Sequence, residues 1–130
     1  MANRQPVWIG LDVILAVHDR QLAEHGGPSG VRDQGLLESA LARPVHRWSY
    51  GEEDSAALAA AYAFGIARNH PFIDGNKRTA WIAARLFLAL NGARLRFESE
   101  EAIRTMLALA AGELAEEELA DWFRAHIGEG

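Results

Sequence analysis

Apolar residues recur every three or four positions along most of the chain, which is the spacing of one face of an α-helix. The first such stripe covers residues 11–24 and ends at His25-Gly26-Gly27-Pro28. Further stripes predict helices over residues 76–90, 99–111 and 114–127, and Asn91-Gly92 is a clear stop signal for the first of these. Residues 95–97 are predicted to form a short extended piece. The pattern therefore predicts a mainly helical chain.

Two more helices are predicted from their capping residues. Asp33 can accept hydrogen bonds from the free amides of a first turn, so a short helix is predicted from there to about residue 42, with Pro44 just past its end. Residues 48–53 are predicted to be a loop. Asp54 or Ser55 then caps a third helix, in which an apolar stripe repeats every four residues. Most of its other positions are alanine, which allows a neighbouring helix to approach closely.

The helix over residues 76–90 has apolar residues on most of its sides, which predicts that it is the buried centre of a bundle. Residues 70–75 contain Pro71 and Gly75, both unfavourable in a helix interior, so a tight loop is predicted before this helix. We therefore predict an all-α fold, a compact bundle of about six helices around a central buried helix. A chain of 130 residues has room for one such core, so residues 1–130 are predicted to be a single domain.

The composition excludes several classes of function. The chain is 49% hydrophobic and 24% charged, as expected of a globular protein, and it has no cysteine, which excludes disulfides, a thiolate nucleophile and sulfur-ligated zinc. The formal net charge of -5 argues against general binding to nucleic acid. No apolar run reaches the length of a membrane span, and the N-terminal apolar stretch, interrupted by Gly10 and Asp12, does not read as a signal peptide. A cytoplasmic protein is expected.

Positive charge is concentrated in one window of this acidic chain. Between residues 68 and 96 the only acid is Asp74, whereas the cations are Arg68, Lys77, Arg78, Arg85, Arg94 and Arg96. A local anion site is one interpretation of this window. A solvated helix face is the other, and it is the more frequent origin of such clusters.

The segment His70-Pro71-Phe72-Ile73-Asp74-Gly75-Asn76-Lys77-Arg78 brings groups suited to phosphoryl transfer to the start of a helix. A helix N-terminus has unpaired amides that bind phosphate, and Gly75 lets the backbone come close to an anion. Lys77 and Arg78 add positive charge, and Asp74 offers the oxygen ligand that Mg²⁺ prefers. His70 can accept a proton from an attacking hydroxyl near neutral pH. Taken singly, a histidine beside a proline or an Asp-Gly turn is more often structural.

The pattern His-x-Phe-x-Asp-Gly-Asn-Lys-Arg over residues 70–78 resembles the signature of the Fic/Doc family in its death-on-curing form. The resemblance extends from about residue 9 to residue 127. It includes residues 15–19, 25–27, 30–33, 35–40, 86–88 and 91–92.

The resemblance implies a toxin that transfers a phosphate from ATP to a hydroxyl of a translation factor, elongation factor Tu, and that is silenced by an antitoxin. It implies that His70 is the base and that Asp74 is the Mg²⁺ ligand. It also implies that phosphates are contacted or oriented by Arg68, Asn76, Lys77 and Arg78.

Two departures from the adenylyl-transferring branch of that family affect the predicted reaction. Lys77 stands where that branch has a second glycine, and Trp81 stands where it has a further arginine. A long side chain at position 77 crowds the pocket, so transfer of the terminal phosphoryl group is favoured over transfer of AMP. Adenylylation stays open as an alternative for two reasons. Gly75 fits both patterns, and Arg85, one turn beyond Trp81, can partly replace the arginine that is missing at position 81.

Two other functions are compatible with parts of the sequence. A metal-dependent hydrolase built on His18, Asp19, His46 and His70 lacks further ligands at helical spacing, and His18 is better explained as a core or rim histidine. A catalytically silent interaction module is the non-enzymatic alternative. The joint presence of His70, Asp74 and Asn76 argues against it.

Overall fold

A computed structural model describes residues 5–128, so the two ends of the predicted 1–130 domain lie outside the described residues. Within that range the fold is all-α with one small sheet, as the sequence predicts. Its elements follow in the order α1 (Leu11–His25), α2 (Gln34–Ser49), α3 (Ser55–Asn69), α4 (Asn76–Leu90), β1 (Arg94–Leu95), α5 (Ser99–Ala110), α6 (Glu116–His126) and β2 (Ile127–Gly128).

The central helix of the bundle is α3. Eleven of its fifteen residues are buried, against seven of fifteen in α4, and α2, α4 and α6 all pack on it. The prediction that residues 76–90 form the central helix is therefore wrong. α4 has a solvent-facing side that carries Lys77, Arg78 and Arg85, whereas the small alanines of α3 allow neighbours to pack on nearly every side.

Close packing between α2 and α3 depends on small side chains. A Cβ atom built on Gly65 of α3 would lie 3.1 Å from the Cα atom of Ala40 on α2. The N-terminus of α3 is capped as predicted, because the side chain of Asp54 accepts from the backbone N–H of Ala56 at 3.1 Å. These contacts fix the position of α3, whose C-terminal end leads into residues 70–75.

Helix α2 continues past Pro44 to Ser49, so the predicted end at about residue 42 and the predicted loop start at residue 48 are both wrong. Pro44 is buried, and the partly buried Trp48 meets Trp8 edge-on with ring centroids 6.2 Å apart. Arg47, one turn after the proline, donates to Glu116 of α6 at 2.7 Å. These tertiary contacts outweigh the hydrogen bond that a proline removes from a helix.

The last part of the described chain folds back on the segment after α4. β1 and β2 pair antiparallel, with Arg94 opposite Gly128 and Leu95 opposite Ile127. The predicted extended piece is thus present, but it lies at residues 94–95. Across residues 5–128, none of the helices is both long enough and apolar enough to cross a bilayer.

Candidate active site

Residues 70–75 form the loop between α3 and α4. Two side chains of this loop are buried in the core, and the side chains with candidate catalytic groups are exposed. Pro71 and Phe72 are buried, whereas His70, Ile73 and Asp74 are exposed. His70 itself follows the last residue of α3 and has a left-handed backbone, with φ 50° and ψ 57°. Left-handed geometry is uncommon for a residue with a Cβ atom, so contacts around the loop must hold it there.

The first of these contacts is made by Asn76, the first residue of α4. Its side-chain oxygen accepts from the N–H of Phe72 at 3.0 Å, and its side-chain nitrogen donates to the carbonyl of Phe72 at 2.9 Å. Both bonds are buried. Asn76 therefore acts on the predicted site by closing the loop, and its amide group faces Phe72.

A second contact comes from His18 on α1, which is only 2% exposed. Its ring stacks on Phe72 with centroids 3.8 Å apart, and its Nε2 lies 2.7 Å from the carbonyl oxygen of Asp74. The same ring contacts Gly75, where an added Cβ atom would lie 3.6 Å from Nε2. His18 is thus the satisfied core histidine that the sequence favours, and it supports the loop from below.

The third contact is a short strand-like pairing with residues 30–33, which precede α2. Val31 and Phe72 form an antiparallel bridge, and the N–H of Ile73 donates to the carbonyl of Gly30 at 3.1 Å. The backbone N–H of Arg32 donates to the carbonyl of Pro71 at 2.7 Å. Residues 30–33 therefore pair with one side of the loop and support it.

The side chain of Arg32 holds the end of α3. Its Nε donates to the carbonyl of His70 and one terminal nitrogen donates to the carbonyl of Asn69, both at 2.7 Å. Sequence reasoning gave Arg32 no role. No local pattern indicates that a residue 38 positions before His70 caps the helix that ends there.

The N-terminus of α4 has the features of an anion site. Gly75 precedes it with φ 80°, and no side chain caps its first turn. Lys77 and Arg78 are exposed, and within residues 5–128 neither takes part in an ion pair. Two exposed cations thus lie beside a first turn without a side-chain cap, and helix N-termini of this kind can bind phosphate.

A groove of about 620 Å³ connects this helix end with α5. His70 and Lys77 form one side of it, and the other lining residues are Arg104, Leu107, Ala108, Ala110, Ala111 and Glu113. Arg68 is not part of this lining. Its guanidinium lies over the ring of Phe64, 5.2 Å from the centroid, and beside Gly112.

Asp74 is the only predicted metal ligand, and it lies against the loop that follows α1. A Cβ atom built on Gly27 would clash with the Asp74 carboxylate, and Gly27 has φ 116°. Among the described residues no cluster of three or more metal-binding side chains occurs. One exposed carboxylate suits Mg²⁺ that arrives with a nucleotide, because Mg²⁺ keeps water and phosphate oxygens as most of its ligands.

Trp81 and Arg85 belong to an aromatic cluster that begins one helical turn beyond Lys77 on α4. Trp81 stacks on Phe123 with centroids 6.1 Å apart and meets Phe97 edge-on at 5.1 Å. The Arg85 guanidinium lies 5.9 Å from the centroid of Trp81 and 5.2 Å from that of Phe97. Arg85 thus packs on aromatic rings at this cluster.

The three histidines of the alternative hydrolase site do not lie together. His18 is buried beneath the loop, and His46 lines a separate cavity of about 700 Å³ between α2 and the turn at Gly51. Only His70 lies on the groove beside α4.

Comparison with known proteins gives three matches. A family model described as the Fic/DOC family matches residues 8–88. The chain is 36% identical over 121 residues to "Protein kinase doc" of Escherichia phage P1, an alignment that covers 92% of this chain and 95% of that protein. It is 51% identical over 73 residues to "Toxin Doc" of Mycolicibacterium smegmatis, covering 54% and 55% respectively.

Proposed function

This chain belongs to the Fic/Doc family, and we propose that it is the toxin of a toxin–antitoxin pair that phosphorylates a translation factor. The donor is ATP, and the acceptor is a hydroxyl group of elongation factor Tu. One observation carries the proposal. An exposed histidine at the end of α3 and an uncapped, cationic start of α4 border the same groove.

His70 is proposed to act as the general base. It takes the proton of the acceptor hydroxyl as the oxygen forms a bond to the γ-phosphorus. The bond between that phosphorus and the β–γ bridging oxygen breaks, and ADP leaves with the electron pair. A positioned base of this kind contributes about 10²- to 10⁴-fold in rate.

The phosphates are proposed to bind at the N-terminus of α4. The free amides after Gly75 and the side chains of Lys77 and Arg78 hold them, while Asn76 keeps the loop in the shape that exposes those amides. Arg68 is proposed to reach the phosphates by leaving the ring of Phe64. Asp74 would hold Mg²⁺, which neutralises phosphate charge when bound.

Phosphoryl transfer is proposed in preference to AMP transfer because of two side chains. Lys77 occupies the groove side where a glycine would leave space. Trp81 packs into the aromatic cluster, and the guanidinium of Arg85 lies over its ring. The cluster, and not the anion site, therefore engages the guanidinium that would take the place of the missing arginine. The phage relative named as a protein kinase supports the same choice. A cognate antitoxin and a cytoplasmic location are proposed from the two relatives named Doc.

The test is label transfer to purified elongation factor Tu with Mg²⁺ and ATP labelled at either the α or the γ position. Label from γ alone is expected, and label from α would replace the proposal by adenylylation. No label from either position, from a protein that melts cooperatively, would favour a silent interaction module. Expression in bacteria should stop protein synthesis, and the His70→Asn variant should not. The Lys77→Gly variant tests whether position 77 sets the transferred group.

A further inference from the structure

We propose that Arg32 is a positioning residue that holds the His70 imidazole in the orientation needed for proton transfer. The inference rests on the proposed function, because it concerns the same base. It adds a residue from outside the nine-residue motif. The observations that carry it are the backbone of His70, the two hydrogen bonds of the Arg32 side chain and the way Arg32 is itself held.

The direction of the His70 side chain depends on an unusual backbone. The left-handed φ and ψ angles of 50° and 57° turn the chain sharply at the end of α3. If those angles relaxed toward the right-handed region, the Cβ atom would swing to another direction and the imidazole would leave the groove. Among described non-glycine residues, His70 alone has a positive φ.

Arg32 holds this turn by donating hydrogen bonds to two backbone carbonyls. Its Nε and one terminal nitrogen donate to the carbonyls of His70 and Asn69, both at 2.7 Å. A planar guanidinium donates in two parallel directions at once, which the ammonium group of a lysine does not do. A cation is also favourable at the C-terminus of a helix, where unpaired carbonyls carry partial negative charge.

Arg32 can act in this way because its own backbone is rigidly held. Its N–H donates to the carbonyl of Pro71 at 2.7 Å, and the N–H of Asp33 donates to the same oxygen at 3.1 Å. The carboxylate of Asp33 then caps α2 by accepting from the N–H of Leu36 at 3.0 Å. The guanidinium thus links the start of α2 to the end of α3.

The expected consequence is a loss in kcat with little change in binding. ATP phosphates bind at α4 under the proposed function, and Arg32 contacts α3 and the loop. Removing the guanidinium should therefore leave KM for ATP within about twofold, while a displaced base lowers kcat by about a hundredfold. A residue that binds phosphate would show the opposite division between KM and kcat.

The experiment compares Arg32→Ala, Arg32→Lys and a matched control, Arg124→Ala. Arg124 lies on α6, and its side chain contacts the other end of α3, where its Nε donates at 2.9 Å to Asp54, the residue that caps α3. Both alanine variants should melt at a lower temperature. Only Arg32→Ala should lose kcat, Arg32→Lys should not restore it, and added methylguanidinium should recover part of it.

Amide spectra provide a readout that does not depend on activity. In Arg32→Ala the resonances of residues 70 and 72–75 should shift or broaden, whereas in Arg124→Ala they should stay in place. If the wild type transfers no phosphate but these spectra behave as expected, the proposed function fails and the positioning contact stands. If Arg32→Ala keeps the kcat of the wild type, or loses activity only in proportion to its folded fraction, the inference is overturned.

Discussion

Asn76 and Asn91 anchor the two ends of α4 in the same way, because each side-chain amide bonds both backbone groups of one residue outside the helix. Asn76 accepts from the N–H of Phe72 and donates to its carbonyl, at 3.0 and 2.9 Å. Asn91 accepts from the N–H of Val7 at 2.8 Å and donates to its carbonyl at 3.0 Å. Only the bonds of Asn76 adjoin the proposed catalytic loop. Substitutions at the two asparagines can therefore distinguish an effect on activity from an effect on stability alone.

Asn76→Asp should lower both stability and activity. The carboxylate cannot donate to the Phe72 carbonyl and places negative charge next to it, which costs about 1–3 kcal/mol for a buried group. The loop then loses its closing contact, and label transfer should fall by more than tenfold. Asn91→Asp is the control. It should lower the free energy of unfolding in urea but keep kcat, and an equal loss of kcat in both variants would contradict the role given to Asn76.

His70→Asn should abolish transfer while keeping the fold. Asparagine accepts left-handed backbone angles more readily than most residues, so it suits φ 50° better than alanine does. Loss of the general base should reduce kcat by about 10²- to 10⁴-fold. His46→Asn, on the exposed side of α2, should behave as the wild type does. Full activity in His70→Asn, measured by γ-label transfer, would show that another group takes the proton.

Gly27→Ala should impair the proposed metal ligand. Its new methyl group would occupy the place of the Asp74 carboxylate, so activity should fall and more Mg²⁺ should be needed for half-maximal rate. Gly26→Ala is a matched control, since Gly26 also has positive φ, 78°, but has open space around it. Both variants should lose about 1–3 kcal/mol of stability, because residues with a Cβ atom rarely adopt such backbone angles. The same Mg²⁺ dependence in both variants would argue against Asp74 as the ligand.

Alkaline pH should destabilise the protein through Tyr62. Burial raises the pKa of Tyr62 from 10.0 to about 12, while its hydroxyl accepts from the N–H of Ile9 at 2.9 Å. Because the folded state holds this proton more tightly, the stabilising effect is complete below pH 10 and is lost as pH rises through 12. The shift corresponds to about 3 kcal/mol.

Urea unfolding at a series of pH values checks this prediction. Tyr62→Phe should be less stable than the wild type at pH 7, because the N–H of Ile9 loses its acceptor, but its stability should decline less between pH 10 and 12. Parallel curves for the two proteins over that interval would show that other groups cause the alkaline unfolding.

The sequence was sufficient to predict that the six helices exist and that a tight loop lies at residues 70–75, because these features are set by local periodicity, capping and turn residues. It was insufficient for α2, since the packing of Pro44 and Trp48 against other elements decides where that helix ends. It also missed α3 as the central helix, because alanine gives a weak periodic signal although it packs closely. The support given by Arg32 comes from a contact across 38 positions, which no local pattern encodes.

The contacts that hold the loop at residues 70–75 and the far wall of the groove are made by different parts of the chain. The loop is supported by His18, by residues 30–33 and by Asn76, whereas α5 only borders the groove. Under the proposed function, substitutions at Arg104 or Leu107 should therefore change the groove wall that an acceptor protein would meet and leave His70 in place. An engineer who wished to redirect such an enzyme to a new acceptor would begin on α5 and leave the loop and the residues that support it untouched.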